Sequence, residues 1–188
     1  RRITLTIATA LSLIFTPLAA QDFQKGYDAY QAGDYATALQ EWRPLADQGI
    51  AEVQYNLGLI YGNGHGVPQD HAEAVKWYRL AADQGNVDAQ YNLGNRYKKG
   101  QGVLQDYAEA ARWYRLAADQ GYVSAQHNLG LMYVMGQGVV QDFAEAVRWY
   151  RLAAMQGHAR AQTKLGAMYT IGKGVLQDDV MAHMWYNI

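Results

Sequence analysis

The stretch from residue 51 to residue 86 decides the fold, and it reads AEVQYNLGLIYGNGHGVPQDHAEAVKWYRLAADQGN. The pattern returns with a period of 36 residues in copies at 87–122 and 123–158, and a partial copy occupies 159–188. A tryptophan falls at the same place in each copy, at Trp77, Trp113, Trp149 and Trp185. Because chance does not place so many matches at one spacing, the chain is predicted to be an array of structural repeats.

Each copy is interpreted as two helices joined by a glycine-rich loop. In the first copy Gln54, Leu57, Gly58 and Tyr61 fall at i, i+3, i+4 and i+7, which places them on one face of a helix. A glycine inside a helix costs about 1 kcal/mol relative to alanine. The return of Gly58 in every copy therefore predicts that another backbone approaches closely there. The helix is predicted to end at Gly64, because glycine readily takes the left-handed cap conformation.

The second helix of each copy is predicted to begin after an aspartate. Asp70 is a good N-cap, and Glu73 three residues later completes a pattern typical of a capping box. Glu73 can also pair with Lys76 on the solvent side, which contributes only roughly a few tenths of a kcal/mol. The last copy carries Met181 in place of this glutamate, so its helix is expected to start less firmly. The predicted buried side contains Ala74, Trp77, Tyr78 and Ala81.

Residues 1–20 have the pattern of a secretory signal peptide. Arg1 and Arg2 precede an apolar run that ends in small residues, and the run is too short to span a bilayer comfortably. Cleavage is expected after Ala20. The mature protein would then be periplasmic or secreted, with no stable membrane insertion. An uncleaved membrane anchor is the alternative interpretation.

The two ends of the array differ from the repeats between them. Residues 21–49 predict a helical hairpin that turns at Gly33, and an open-ended repeat array needs such an atypical first unit as a cap. Pro44 stands where the copies have leucine, so the second helix of this hairpin is expected to kink or break. Ile188 falls in the middle of a predicted helix, so the copy at 159–188 is expected to be truncated or to continue in the native protein.

Composition excludes several classes of chemistry. The 188 residues contain no cysteine, which excludes disulfides, thiol catalysis and thiolate metal sites. A net charge of −1 provides no positive field for nucleic-acid binding. The loop at Gly64 follows a helix and not the strand that precedes phosphate-binding loops, and the five histidines fall at five different repeat positions. We therefore predict no metal, no cofactor and no catalytic residue, with a site at His65 and His71 as the less favoured alternative. The repeated tryptophans are interpreted as core and not as sugar-stacking platforms.

The pattern resembles the Sel-1-like repeat family, a relative of the tetratricopeptide repeats. The matching residues of the first copy are Leu57, Gly58, Tyr61, Gly64 to Val67, Gln69, Asp70, Ala74, Trp77, Tyr78, Ala81, Ala82 and Gly85. Tetratricopeptides repeat about every 34 residues, and the longer loop here distinguishes the two. The resemblance covers residues 51–188, and the capping hairpin at 21–49 resembles a plain tetratricopeptide hairpin. It implies an all-α fold, a right-handed solenoid of antiparallel helical hairpins with a concave face, that acts as an adaptor for other proteins and carries no catalytic residue.

Differences between the copies indicate a candidate binding surface. Positions 52, 55, 56, 59 and 63 form one helical stripe off the packing face, and most of them vary from copy to copy. First helices line the concave surface in folds of this type, so we predict binding there. The stripe comprises Glu52, Tyr55, Asn56 and Leu59, then Asp88, Tyr91, Asn92, Asn95 and Lys99, then Ser124, His127 and Asn128, and finally Arg160 and Lys164. It runs from acidic to basic, and drift on a solvated face is the alternative interpretation.

These patterns predict a protein–protein interaction scaffold of the bacterial envelope that binds a protein or peptide and not nucleic acid, with its oligomeric state left open. Tyr55, Tyr91 and Asn92 offer rigid aromatic area and adaptable amide hydrogen bonds, which suit peptide recognition. An envelope hydrolase or a glycan-binding module is the alternative, because some secreted, cysteine-rich members of the family have been linked to β-lactamase activity. Ser124, however, is not followed by the lysine of a Ser-x-x-Lys nucleophile. No hydrolysis of a chromogenic cephalosporin is therefore predicted.

Overall fold

The computed structural model describes residues 17–187, and every regular element in this part of the chain is an α-helix. The helices are α1 (Pro17–Gln31), α2 (Tyr35–Asp47), α3 (Ala51–Asn63), α4 (His71–Asp83), α5 (Val87–Lys99), α6 (Tyr107–Asp119), α7 (Val123–Met135), α8 (Phe143–Met155), α9 (Ala159–Ile171) and α10 (Asp179–Tyr186). Consecutive helices pack as hairpins, and the chain divides into two compact units, the first ending at Gln84 and the second beginning at Gly85. The predicted all-α repeat fold is confirmed.

The second helix of each repeat begins at an aspartate cap, as predicted. The carboxylate of Asp106 accepts hydrogen bonds from the backbone N–H groups of Ala108 and Glu109, at 2.8 and 3.0 Å. In the last repeat the Asp178 cap accepts a single backbone bond, from Met181 at 2.9 Å. The last helix therefore starts with one capping bond where the others have two, which agrees with the weaker start expected there.

The glutamate after the cap does not close a capping box. The backbone N–H of Asp70 donates to the carbonyl of Tyr61 at 2.9 Å, so it is already satisfied by the preceding helix. The Glu73 carboxylate instead pairs with Lys76 at 2.8 Å. The predicted i,i+3 ion pair is present, whereas the reciprocal half of the capping box is wrong, because the loop folds back onto α3.

The glycine-rich loop ends the first helix as predicted. Gly64 takes the left-handed conformation, with φ of 71° and ψ of 35°, and its N–H caps the carbonyl of Ile60. Val67 of the same loop packs against the core of the first unit. The glycine-rich loop is therefore held against the helices by the Gly64 cap and by the packing of Val67.

The repeated tryptophans lie in the core, as predicted. In the first unit Trp42, Leu57 and Trp77 belong to one buried cluster. In the second unit Trp149 and Trp185 belong to two further buried clusters, whose buried residues come from the second helix of one repeat and both helices of the next. Each core is therefore shared between neighbouring hairpins, which is why one repeat alone cannot bury its apolar face.

The glycine inside each first helix makes room for a tyrosine ring and not for a backbone. A Cβ placed on Gly58 would lie 2.5 Å from the ring of Tyr78 in the second helix of the same repeat. The other repeats show the same pairing, in Gly94 with Tyr114, Gly130 with Tyr150 and Gly166 with Tyr186. The expectation of close approach is correct, but the neighbour is an aromatic side chain.

A buried glutamine joins each repeat to the one before it. In the second unit the Gln126 side chain donates to the carbonyl of Ala118 at 3.2 Å and accepts from Gln156 at 2.9 Å. In the first unit Gln54 donates to Ala46 and accepts from Gln84 in the same way. The recurring Asp-Gln-Gly phrase thus supplies the outer glutamine of a hydrogen-bonded pair.

The N-terminal hairpin forms with one difference from expectation. Asp34 caps α2 by accepting from the Thr37 backbone at 3.1 Å. The α2 helix continues through Pro44, so the predicted break is wrong. Residues 1–16 of the predicted signal peptide lie outside the described residues. The rest of that segment belongs to α1, where Ala19 packs against the first unit's core, and the predicted cleavage after Ala20 stays a prediction.

Candidate functional site

The predicted stripe residues all lie on first helices with part of their surface open to solvent. Exposed side chains are Glu52, Lys99, Arg160 and Lys164. Half-buried side chains are Tyr55, Asn56, Leu59, Asp88, Tyr91, Asn92, Asn95, Ser124, His127 and Asn128. The first four positions of the stripe belong to the first unit and the rest to the second.

A layer of tyrosines on the second helices supports the stripe from below. The ring of Tyr91 lies 5.9 Å from the ring of Tyr114, and His127 lies 5.6 Å from Tyr150. Burial raises the pKa of Tyr150 to about 12, so its hydroxyl remains neutral. The tyrosine layer rests in turn on the glycines of the first helices, so the shape of the stripe is set by the core beneath it.

The hydroxyl of Tyr114 brings together stripe residues from two successive repeats. It donates to the side-chain oxygen of Asn95 at 2.7 Å and accepts a hydrogen bond from Asn128. Burial raises the pKa of Tyr114 above its usual range, so the proton stays available for this bond. Asn92 is held differently, because its side-chain amide donates to the Asp88 carbonyl one turn earlier at 3.0 Å. The side-chain amides of Asn92, Asn95 and Asn128 are therefore fixed in orientation by the protein's own bonds.

An aromatic pair with a carboxylate lies at the acidic part of the stripe. The rings of Tyr91 and Tyr122 are 4.9 Å apart. Burial raises the pKa of Tyr122 to about 12, and the Asp88 carboxylate, which accepts its hydroxyl proton in a hydrogen bond, adds to that rise. The three side chains form one surface with an apolar centre and a negative edge.

A cluster of basic side chains lies at the other part of the stripe. The imidazole rings of His127 and His158 are 4.7 Å apart. Burial and nearby positive charge lower the pKa of His127 to about 4. The charges belong to His158, Arg160, Lys164 and Lys98. The structure therefore brings three predicted residues of this region into one electrostatic neighbourhood.

Sequence reasoning missed Tyr122, His158 and Lys98 as neighbours of the stripe. Tyr122 and His158 are the residues that immediately precede α7 and α9, and each contacts the stripe residue 31 positions earlier. The position before each first helix also varies between copies, which was the available signal. Lys98 was visible only as a basic residue near a helix end, and its proximity to His127 depends on how successive repeats pack.

The arrangement supports binding by hydrogen bonds, aromatic contact and charge. In the part of the chain that the structure describes, no three His, Asp or Glu side chains are placed to hold a metal ion. Within residues 17–187, no helix combines the length and the apolar character that crossing a membrane requires. In the stripe and its support, the groups with shifted pKa values are the tyrosines Tyr114, Tyr122 and Tyr150 and the histidine His127.

Comparison with known proteins identifies the repeats. A family model described as Sel1 repeat matches residues 51–86, 87–122, 123–158 and 159–188. Among curated proteins, none matches this chain.

Solved structures give the same result. A protective antigen present in uropathogenic Escherichia coli strains, with an SLR fold, is 42% identical with a TM-score of 0.86, and the match covers 90% of this chain and 37% of that chain. A Sel1 repeat protein from Oxalobacter formigenes is 36% identical with a TM-score of 0.84, covering 87% of this chain and 68% of that one. Cysteine rich protein B of Helicobacter pylori shares the fold, at 22% identity and a TM-score of 0.53, over 68% of this chain and 92% of that chain.

The present chain spans little more than a third of the length of the E. coli antigen, so similarity to that protein concerns the repeats that both contain. The family match and the two structural matches above 30% identity rest on the same residues that form the helical hairpins described above. The chain is therefore a member of the Sel1 repeat family, whose repeats are generally protein–protein interaction modules.

Proposed function

We propose that the protein is a non-catalytic scaffold of the bacterial envelope that binds a protein or peptide on the concave face lined by its first helices. The observation that carries this proposal is the contrast between the two faces of each first helix. One face repeats the same glutamine, leucine and glycine in the core, while the stripe on the other face stays accessible and varies between repeats. A surface that recognises a specific partner needs side chains that differ from repeat to repeat on a backbone that stays the same, and the stripe has both properties.

Pre-organisation supports the same function. Tyr91 lies between two other tyrosine rings, and Asn95 and Asn128 share the hydroxyl of Tyr114. Side chains that are already held in place lose little conformational freedom when a partner binds. Aromatic and amide side chains are also the types that carry recognition of peptides at interfaces. The stripe can therefore bind without the helices rearranging.

The envelope location in this proposal rests on the N-terminal sequence. Residues 1–20 combine two arginines, a short apolar run and small residues before Ala20, as secretory signals do. We propose that the mature protein is periplasmic or secreted after cleavage at that point. Mass spectrometry of the N-terminus of the protein recovered from the producing organism would test the cleavage site, since retention of residues 1–20 would contradict it.

The function is tested by affinity capture from envelope extract. The bait is the full chain, run beside a variant with Tyr55→Ala, Tyr91→Ala and Asn92→Ala. A protein that is retained by the wild type and lost by the variant is the expected outcome, because the three substitutions remove the aromatic and amide contacts of the stripe. Equal retention by both baits would contradict the binding face.

A matched control separates the stripe from the rest of the surface. Leu80, Leu116 and Leu152 lie partly exposed on the second helices at the same repeat position. Their replacement by alanine also removes three side chains, but from helices that do not carry the stripe. This variant is expected to retain the partner. Thermal unfolding of each bait shows that a lost partner does not reflect a lost fold.

A further inference from the structure

The basic cluster around His127 differs from the other charged groups of the chain. His127 lies on α7, and His158 is the N-cap of α9, where its Nδ1 accepts the backbone N–H of Ala161 at 3.2 Å. Arg160 and Lys164 are exposed, one turn apart on α9. The cluster is thus assembled from two successive first helices of the second unit, on the stripe itself.

The charges that lower the pKa of His127 come from four basic side chains. The groups whose charges reach its imidazole are His158, Arg160, Lys164 and Lys98, and each of them lowers the pKa of His127. A carboxylate within the same range would raise this pKa. Within the described residues, the charges that shift the pKa of this imidazole therefore create a positive potential around it.

Two arginines on second helices of the second unit are ion-paired with the glutamate three residues earlier. Arg112 on α6 holds the Glu109 carboxylate at 3.1 Å through two guanidinium nitrogens. Within residues 17–187, by contrast, no carboxylate lies within ion-pair distance of Arg160, Lys164 or Lys98. Three permanent cations share one face of the protein without an internal counter-ion. A ligand that carries carboxylates would supply it.

We propose that this basic cluster, His127, His158, Arg160, Lys164 and Lys98, binds an acidic segment of the partner protein. The inference rests on the proposed function and names the chemistry of the partner: aspartate or glutamate side chains presented on a peptide. Lysine and arginine supply the charge, and the two imidazoles supply N–H donors beside it. Complementary charge of this kind sets which partners bind and how fast they associate.

A peptide fits this surface better than a nucleic acid does. The stripe continues from the cluster to Asp88, whose carboxylate would repel a polyanion that extends along the first helices. The chain as a whole has a net charge of −1, so it lacks the broad positive field that holds phosphate backbones. The aromatic pair Tyr91 and Tyr122 lies in the same unit and suits apolar side chains of a peptide.

The test uses a fluorescein-labelled decapeptide of alternating glutamate and glycine, with glutamine in place of glutamate in the matched peptide. Binding is measured by fluorescence anisotropy at pH 7 and low salt with the full chain. The Glu peptide is expected to bind at least about tenfold more tightly than the Gln peptide, since surface charge pairs act strongly at low ionic strength. The variant Arg160→Gln/Lys164→Gln is expected to lose about tenfold in affinity, and Lys98→Gln is expected to lose less.

The control variant is Lys173→Gln, which also removes a positive charge. Lys173 lies beyond the other end of α9, with its Nζ 5.0 Å from the centre of the Phe143 ring. It is expected to keep wild-type affinity within about twofold. Arg160 and Lys164 are exposed, so circular dichroism should show that their variant keeps the fold. Equal binding of the two peptides, or equal affinity of the wild type and Arg160→Gln/Lys164→Gln, would overturn the proposal. Tighter binding of a single-stranded oligonucleotide of the same charge would also overturn it.

The outcome is separable from that of the affinity capture. A partner that is captured through Tyr55, Tyr91 and Asn92 while the Glu peptide fails to bind would leave the scaffold function standing and refute the acidic recognition. Binding of the Glu peptide without any captured partner would support the basic cluster and count against an envelope protein as its ligand. The two experiments therefore fail independently.

Discussion

At the scale of single residues, the glycine of each first helix has a definite steric reason. A Cβ on Gly94 would lie 2.7 Å from the ring of Tyr114, closer than such contacts occur in proteins. The tyrosine is fully buried and its hydroxyl is bonded to Asn95, so the ring cannot easily move away. Glycine is thus required by the packing of the second helix and not by the backbone conformation of the first.

Gly94→Ala tests this reason, because helix propensity and packing predict opposite signs. Propensity alone would stabilise the helix by about 1 kcal/mol, whereas overpacking costs about 1–3 kcal/mol. We expect a net loss in the free energy of unfolding, measured in urea. Adding Tyr114→Leu should make the two losses less than additive, since the smaller side chain leaves room for the methyl group. A Gly94→Ala protein as stable as the wild type would contradict the steric explanation.

Trp113→Ala tests the assignment of the repeated tryptophans to the core. The side chain is 1% exposed, with the Arg112 guanidinium 4.1 Å from the centre of its ring. Truncation of a buried aromatic costs about 3–5 kcal/mol, which equilibrium unfolding in urea would measure. Leu104→Ala is the control, because Leu104 is 91% exposed and its loss should change stability by less than about 0.5 kcal/mol. A change below about 1 kcal/mol for Trp113→Ala would disprove the assignment.

His127 provides a test by titration. Its pKa is lowered to about 4 in the folded protein, so between that value and the ordinary value of 6.5 the unfolded state binds a proton that the folded state does not. The contribution of His127 to stability is therefore complete above pH 6.5 and is lost as the pH falls towards 4. The C2–H resonance of His127 in NMR spectra should titrate near pH 4, and Arg160→Gln/Lys164→Gln should raise its pKa. The Lys173→Gln variant is the control for this titration. If the pKa of His127 in Arg160→Gln/Lys164→Gln were the same as in that control, the role of those two charges would be refuted.

The roles of residues that repeat in every copy could be predicted from the sequence, whereas the side chains that they contact often could not. The burial of Trp77 and the capping by Asp70 follow from spacing and residue type alone. The partner of Gly58 did not follow, because spacing within one helix does not tell which side chain of the next helix fills the gap. The contact of His127 with His158 depends on a neighbouring repeat, so only the packing of successive hairpins reveals it.

At the scale of elements, helix starts differ in strength between repeats. The cap of α6 satisfies two backbone N–H groups and the cap of α10 satisfies one. Unsatisfied donors at a helix start favour fraying of the first turn. The aspartate cap of the last copy therefore differs from those of the other copies in the number of backbone N–H groups that it accepts from.

Asp106→Ala and Asp178→Ala compare the two helix starts directly. Loss of an aspartate cap costs about 0.5–2 kcal/mol, and Asp106→Ala should lie towards the upper part of that range because two bonds are lost. Asp178→Ala should cost less in the same urea titration. Amide hydrogen exchange should show the loss of protection confined to the first turn of the helix concerned. A larger loss for Asp178→Ala would contradict the relation between bond number and stability.

Pro44 shows where element prediction from sequence fails. Proline removes a backbone donor, and local rules alone favour a break. The surrounding side chains Trp42, Leu45 and Ala46 are all buried, and only a continuous helix places them together in the core. Tertiary packing outweighs local preference here, which no reading of α2 in isolation could predict.

At the scale of the whole molecule, stability is built from contacts between neighbouring repeats. The second unit has two buried clusters, and Arg151 of α8 donates to the hydroxyl of Tyr169 in α9 at 2.7 Å across successive repeats. The 36-residue period predicted that such shared interfaces exist, since one hairpin cannot bury its own apolar face. The period did not predict the polar contacts within these interfaces, because a repeated glutamine can equally well face solvent.

The variant Gln126→Leu tests how much that polar contact contributes to coupling between repeats. Gln126 is 4% exposed, and its loss leaves the Ala118 carbonyl and the Gln156 amide without their buried partner. We expect a loss of about 1–3 kcal/mol in the free energy of unfolding, although leucine is the more apolar side chain. Gln105→Leu is the matched control, because Gln105 donates to the Lys98 carbonyl at 2.9 Å from an exposed loop where water can replace it. If both variants lost the same small amount, the glutamine pair would be incidental to the array, and the apolar clusters alone would couple its repeats.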